Sequence, residues 1–141
     1  MKYVIDSGVA VKLLIPEIDS DKAIRLFDEF RKGIHQLISP DLIPTEVCNA
    51  LMMAERRVRI PAGMADPLFQ EVLKVCPDLR QAIPLLPRAL QLGQQFQKSV
   101  YDCLFVSLAE REGCELVSAD DRLVNTMNPT MPFVIALASL P

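Results

Sequence analysis

Apolar positions along the chain switch between two spacings. Tyr3-Val4-Ile5 is a short run of strand-forming residues closed by Asp6-Ser7-Gly8, which predicts a buried strand and then a sharp turn. Residues 9–14 predict a short helix, stopped at Pro16. Ser20 is of a type that caps helices, with Asp21 in the first turn. Ala23, Leu26, Phe27 and Phe30 then recur at helical spacing up to Gly33. Residues 35–39 read as a second strand. After Pro40, the positions Ile43, Val47, Ala50, Leu51, Ala54 and Val58 make a clear helical stripe, which Arg56, Arg57 and Arg59 close.

Pro61 and Gly63 break that pattern, and Leu68, Phe69, Val72 and Leu73 predict a further helix. Prolines crowd residues 76–87, where Ala82-Ile83 is read as a short strand. Ala89, Leu90, Gly93 and Phe96 resume a helix. Ser99 begins the next, whose apolar positions include Phe105, Leu108 and Ala109 and which ends at Gly113. Residues 115–118 read as a strand, Ala119-Asp120-Asp121 turns out of it, 122–127 form a helical turn, and 133–137 form a last strand. Strands alternating with helices predict an α/β protein with a parallel sheet covered on both faces. The chain has neither a repeat nor a linker, and its 141 residues suit one domain spanning 1–141.

Composition narrows the choice of function. Half the residues are hydrophobic and 23% are charged, which supports a packed core and excludes disorder. A net charge of −3 excludes nucleic-acid binding by bulk attraction, so any contact with RNA or DNA needs a local cation or a metal ion. Cys48, Cys76, Cys103 and Cys114 form no CxxC pair, and the single His35 stands near none of them, so zinc-finger spacing is absent. Cys48 and Cys103 fall in apolar helical patterns and are expected as buried thiols in a reducing cytoplasm. The N-terminus carries Asp6 and Lys12 and reads as a core strand rather than a signal peptide; no apolar run reaches membrane-spanning length.

Four acids fall where a strand should end or a helix begin: Asp6, Glu46, Asp102 and Asp120. Ligands of an open parallel sheet bind outside the carboxyl ends of its strands. Strand direction alone brings Asp6, Glu46 and Asp120 to that edge, and Asp102 joins them if its helix starts there. Carboxylates repel one another unless a positive charge sits among them. A divalent cation such as Mg²⁺ or Mn²⁺ meets that need, since hard cations take oxygen ligands. Each acid also has a plain local role: Asp6 can shape a turn, Ser99-x-x-Asp102 resembles a capping box, Glu46 can favour its helix dipole, and Asp120-Asp121 can cap a turn. Four coincident placements favour a site.

The motifs that carry these acids resemble those of PIN-domain proteins, and most of all the VapC-type toxins of toxin–antitoxin pairs. They are Tyr3-Val4-Ile5-Asp6-Ser7, Pro44-Thr45-Glu46-Val47-Cys48-Asn49-Ala50-Leu51, the run from Val100 to Ala109 beginning Val-Tyr-Asp, and Leu116-Val117-Ser118-Ala119-Asp120-Asp121-Arg122-Leu123. The resemblance runs in order through the chain. It implies a three-layer α/β/α sandwich with a mainly parallel central sheet, and a Mg²⁺- or Mn²⁺-dependent ribonuclease in which Asp6, Glu46, Asp102 and Asp120 are both metal ligands and catalytic. Ser7, Asn49, Ser118 and Asp121 are expected to support that site; by position alone, Arg122 next to Asp120 and Lys12 in the helix after Asp6 are the candidates to meet substrate phosphates. The resemblance also implies an RNA substrate, a cognate antitoxin protein and a homodimer; the cytoplasmic location and the lack of membrane association rest on the cysteines and the short apolar runs. Gly8 departs from the pattern, since these toxins commonly carry Ser, Thr or Asn there. Residues 61–96 carry no catalytic signature.

Other classes fit less well. An aspartyl phosphatase wants a second Asp two residues after the first, where Gly8 stands. A phospho-acceptor receiver wants an acidic pair after the first strand and a late Lys, and no lysine follows Lys98. A PIN-like nuclease outside a toxin–antitoxin pair and a non-catalytic binding module with the same fold remain the alternatives. Arg56, Arg57 and Arg59 read first as cations at a helix C-terminus. Phe27, Phe30, Phe69, Phe96 and Phe105 read as core, and an aromatic content of 6% leaves no extended base-stacking platform. Met52, Met53, Met127 and Met131 read first as packing residues, with a partner surface as the alternative.

Overall fold

A parallel strand buried on both faces must be apolar along its whole length, and the first strand shows it. Tyr3, Val4 and Ile5 are almost fully buried in β1 (Lys2–Ile5) of the computed structural model, which describes residues 1–141. β1 lies at the centre of a five-stranded sheet with β2 (Gln36–Pro40), β3 (Asp78–Arg80), β4 (Glu115–Ser118) and β5 (Val134–Ala136), in the order β3-β2-β1-β4-β5. Every neighbouring pair is parallel. The expected "mainly parallel" sheet is therefore wholly parallel, and all its carboxyl ends open on one edge.

Seven helices complete a three-layer α/β/α sandwich: α1 (Ser7–Leu14), α2 (Ser20–Arg31), α3 (Ile43–Arg56), α4 (Ala65–Lys74), α5 (Leu86–Phe96), α6 (Val100–Glu112) and α7 (Asp121–Met127). Helices α1 to α4 pack on one another, α5 packs on α6, and α6 lies against β1, β2 and β4. That is why α6 is buried from Cys103 to Ala109 instead of along a narrow stripe. α3 carries Pro44 in its first turn, where the missing N–H costs nothing. Phe27 and Phe105 are core, and Phe30, Phe69 and Phe96 pack against it. Met127 and Met131 are buried, whereas Met52 is exposed. No helix is long and apolar enough to cross a membrane.

Three local expectations are corrected. The strand read at Ala82-Ile83 lies instead at Asp78–Arg80, and residues 83–85 form a 3₁₀ turn in which Leu85 N–H donates to Ala82 O at 2.8 Å. β3 pairs on one side only, so it can be polar, and Pro84 suits a turn better than a ladder. Ser20 does not cap α2. Asp19 holds that place in a left-handed conformation, while the Ser20 hydroxyl accepts from Glu17 N–H at 2.9 Å and donates to Ile15 O at 3.3 Å. Cys48 is exposed, because the buried face of α3 runs through Val47, Leu51 and Ala54; Cys103 is buried, and all four thiols are free.

The register of β1 on β4 also explains Gly8. Ile5 lies opposite Val117, so the chain leaving β1 meets the chain leaving β4. A Cβ at Gly8 would sit 2.9 Å from Ala119 Cβ and 3.4 Å from Asp6 Oδ1. Glycine stands at this position because two backbones approach there. Gly8→Ser is expected to cost about 1–3 kcal/mol in urea unfolding, the usual toll of overpacking. Pairing it with Ala119→Gly, which removes the obstructing methyl, should recover part of the loss. Equal stability of Gly8→Ser and wild type would refute the close-approach account.

Candidate active site

Asp6 is the first residue beyond β1 and the N-cap of α1, so its turn-shaping role and its place at the sheet edge are both real. Oδ1 accepts from Val9 N–H at 3.1 Å and from Ala119 N–H at 3.3 Å, while Oδ2 accepts from the Ser118 hydroxyl and from the same Ala119 N–H. Ser118 in turn accepts from Asp120 N–H at 3.0 Å. On the other side of β1, the buried Ser39 hydroxyl donates to Ile5 O at 2.7 Å and holds the strand's last carbonyl. The register places Ser118 directly across from Asp6.

Asp120 follows β4 and caps α7, Oδ1 accepting from Arg122 N–H at 3.0 Å and Leu123 N–H at 3.2 Å. Asp102 lies in the first turn of α6, but Ser99 provides the cap through its hydroxyl at 3.1 Å from Asp102 N. The Asp102 carboxylate is left free of capping. Glu46 lies in the first turns of α3, and its buried Oε1 has no hydrogen-bond partner. A buried polar atom without a partner is costly, and a cation or water is the usual remedy.

All four acids line one cleft of about 350 Å³ at the carboxyl edge of the sheet, with Ser7, Gly8, Lys12, Glu17 and Phe105 among the other lining residues. Asn49, Asp121 and Arg122 are not among them and are exposed on α3 and α7. Ser118 is buried beneath Asp6 rather than at the cleft surface. Glu17, which no motif marked, is a further lining carboxylate; it sits in the irregular stretch after Pro16, where spacing carries no information. Ser39 was also missed, since a serine inside an apolar run gives no sign of its partner.

The electrostatics follow from burial and like charge. Burial pushes the Asp6 carboxyl up, its hydrogen bonds from Ser118, Val9 and Ala119 oppose this, and Asp120 adds to the rise. Glu46 is raised first by burial and then by the charges of Asp102 and Asp6, against the Ser7 hydroxyl. Asp102 is raised by burial and by Asp120, with Ser99 and Lys98 pulling the other way. The donors are all oxygen, mostly carboxylate, which fits a hard divalent ion in kind, and the orphaned Glu46 oxygen fits it in particular. No three acidic, cysteine or histidine side chains form a ready-made metal cluster, so the acids surround the cleft more widely than a closed cage.

Such an arrangement defines an α/β protein with an acidic cleft at the carboxyl edge of a parallel sheet. The family model of the PIN domain matches residues 3–127. The chain belongs to the PIN domain family. It is 30% identical over 125 residues to Ribonuclease VapC3 of Pyrobaculum aerophilum, a match covering 87% of this chain and 92% of that protein. The crystal structure of PAE2754 from Pyrobaculum aerophilum superimposes with a TM-score of 0.71 over 99% of this chain and 94% of that one. At 20% identity that likeness speaks for the fold.

A carboxyl group whose folded pKa is raised opposes folding at neutral pH, and the penalty fades as pH falls through the folded pKa. Glu46→Gln and Asp102→Asn are therefore each expected to raise the thermal midpoint in chelator-containing buffer at pH 7. The gain should shrink as the pH is lowered through the raised pKa values and vanish below the ordinary carboxylate range. A gain that grew on acidification would contradict the assigned direction.

Proposed function

We propose that this chain is a divalent-metal-dependent endoribonuclease and acts as the toxin of a toxin–antitoxin pair. The observation that carries this reading is that four carboxylates from four distant motifs line one cleft. Membership of the PIN domain family and 30% identity to a protein named Ribonuclease VapC3 support it. In this reading Asp6, Glu46, Asp102 and Asp120 hold Mg²⁺ or Mn²⁺ and are the catalytic acids. A bound ion would supply Lewis acidity there, lowering the pKa of a coordinated water and offsetting negative charge on an RNA phosphodiester.

The protein's own groups then have separable tasks. Ser118 and the Ala119 N–H orient Asp6. Ser7 lies beside Glu46 and favours its ionised form. Lys12, the only cation lining the cleft, meets the substrate phosphate, and Arg122 is a proposed phosphate contact outside it. Asn49 and Asp121 do not line the cleft, and in this reading they support Glu46 and Asp120 from outside it. An RNA substrate, an antitoxin protein, a homodimer and a cytoplasmic location belong to the same reading.

Asp6→Asn and Asp102→Asn are expected to abolish Mg²⁺-dependent RNA cleavage, read from sequenced fragment ends, while circular dichroism shows the fold intact. Activity retained in both variants would take the acids out of the mechanism. Ser118→Ala, which frees Asp6, should lower activity about 10–100-fold, as losses behind a ligand do. Millimolar Mn²⁺ should raise the thermal midpoint of the wild-type chain through ligand linkage and leave Asp6→Asn unmoved. No Mn²⁺ uptake by the wild-type chain would favour the partner-binding module instead.

A further inference from the structure

We propose that Glu17 is a positioning residue, tethering the Lys12 ammonium at the cleft rim so that it meets an RNA phosphate; the proposal rests on the nuclease reading above. Five carboxylates and one ammonium line the cleft: Asp6, Glu17, Glu46, Asp102 and Asp120 against Lys12. Lys12 Nζ lies 3.2 Å from Glu17 Oε2 and 2.9 Å from Ile18 O. An ammonium has three N–H donors, so one is left for the cleft. The other Glu17 oxygen, Oε1, accepts from the Arg59 guanidinium at 2.7 Å. Both Glu17 oxygens are thus engaged by cations.

The alternative for an untethered lysine is plain. Its four-carbon stem is flexible and its charge compact, so beside Asp6, Glu46, Asp102 and Asp120 it would fold inward as their counter-ion. Glu17 offers a competing partner at the rim, and the Ile18 carbonyl fixes the direction. Arg59 offsets the fifth negative charge that this arrangement introduces. Arg59 comes from the turn after α3, where Val58 takes a left-handed conformation at φ 59°. The tether therefore joins the far end of α3 to the loop after α1. The Glu17–Arg59 part of that link is invisible to motif reading, because its two members are loop residues 42 positions apart.

A double-mutant cycle separates tethering from a plain structural role. Binding is measured to an RNA oligonucleotide with phosphorothioate linkages that resist cutting, in Mg²⁺, alongside steady-state cleavage of ordinary RNA. Glu17→Gln is expected to weaken binding about threefold or more, the scale of one partly exposed ion pair, by raising KM with little change in kcat. Lys12→Met should weaken binding and flatten its salt dependence by about one unit of slope. With Lys12→Met already present, Glu17→Gln should have no weakening effect. Arg59→Met, at an exposed position, should repeat the pattern more mildly and guards against misfolding of the Glu17 variant. Equal weakening in both backgrounds, tighter binding by Glu17→Gln, or absence of binding by the wild type overturns the tether. A wild-type chain that binds without cleaving removes the nuclease reading and leaves the cycle to decide the tether.

Discussion

The structure turns on one buried carboxylate. Only Asp6, Ser39, Ser107 and Ser118 are buried polar residues, and three of these meet where β1 ends. Burying a charge costs several kcal/mol unless hydrogen bonds replace its hydration. Asp6 meets that cost with donors from three places: Val9 in its own helix, and Ser118 and Ala119 at the exit of β4. The register of β1 on β4, the tight seat of Gly8 and the start of α1 all serve the same atom. A shift of one residue in that register would leave the buried carboxylate with only the local Val9 N–H as a donor.

Around that anchor the chain tolerates repulsion. Asp6, Glu46 and Asp102 all have raised pKa values, and burial is the leading cause each time. A cleft built for stability alone would not gather these groups, nor leave Glu46 Oε1 without a partner. Sites that carry chemistry commonly show this tension, and neutralising their charges commonly stabilises the fold. The acids divide by role in the fold as well. Asp6 and Asp120 cap helices, which fixes their directions, whereas Ser99 relieves Asp102 of capping.

Much of the fold could be read from the chain because the governing signals are local. Tyr3-Val4-Ile5 is apolar without interruption because β1 is central, and Ser99 and Gly113 bracket α6 with matching cap chemistry. The reading failed where local signals conflict or vanish. β3 is an edge strand with mostly exposed side chains, so no hydrophobic period marks it. Asp19 took the cap that Ser20 was expected to hold, because the Ser20 hydroxyl is engaged by the preceding turn. Cys48 looked apolar in context, yet lies just outside the buried face of α3.

The acidic residues and their order along the chain belong to the sequence alone, as does their position at strand ends and helix starts, because strand, turn and cap preferences act over a few residues. Their meeting is a matter of tertiary structure. Parallel pairing sets which strand ends are neighbours, and it brought Ser39 and Ser118 to either side of β1. Ser7 and Lys12 line the cleft, whereas Asn49, Asp121 and Arg122 do not. The Glu17–Arg59 pair belongs wholly to the tertiary level, since an ion pair between loops 42 residues apart depends on where the packed helices leave those loops, whereas Lys12 and Glu17 are near neighbours in the chain.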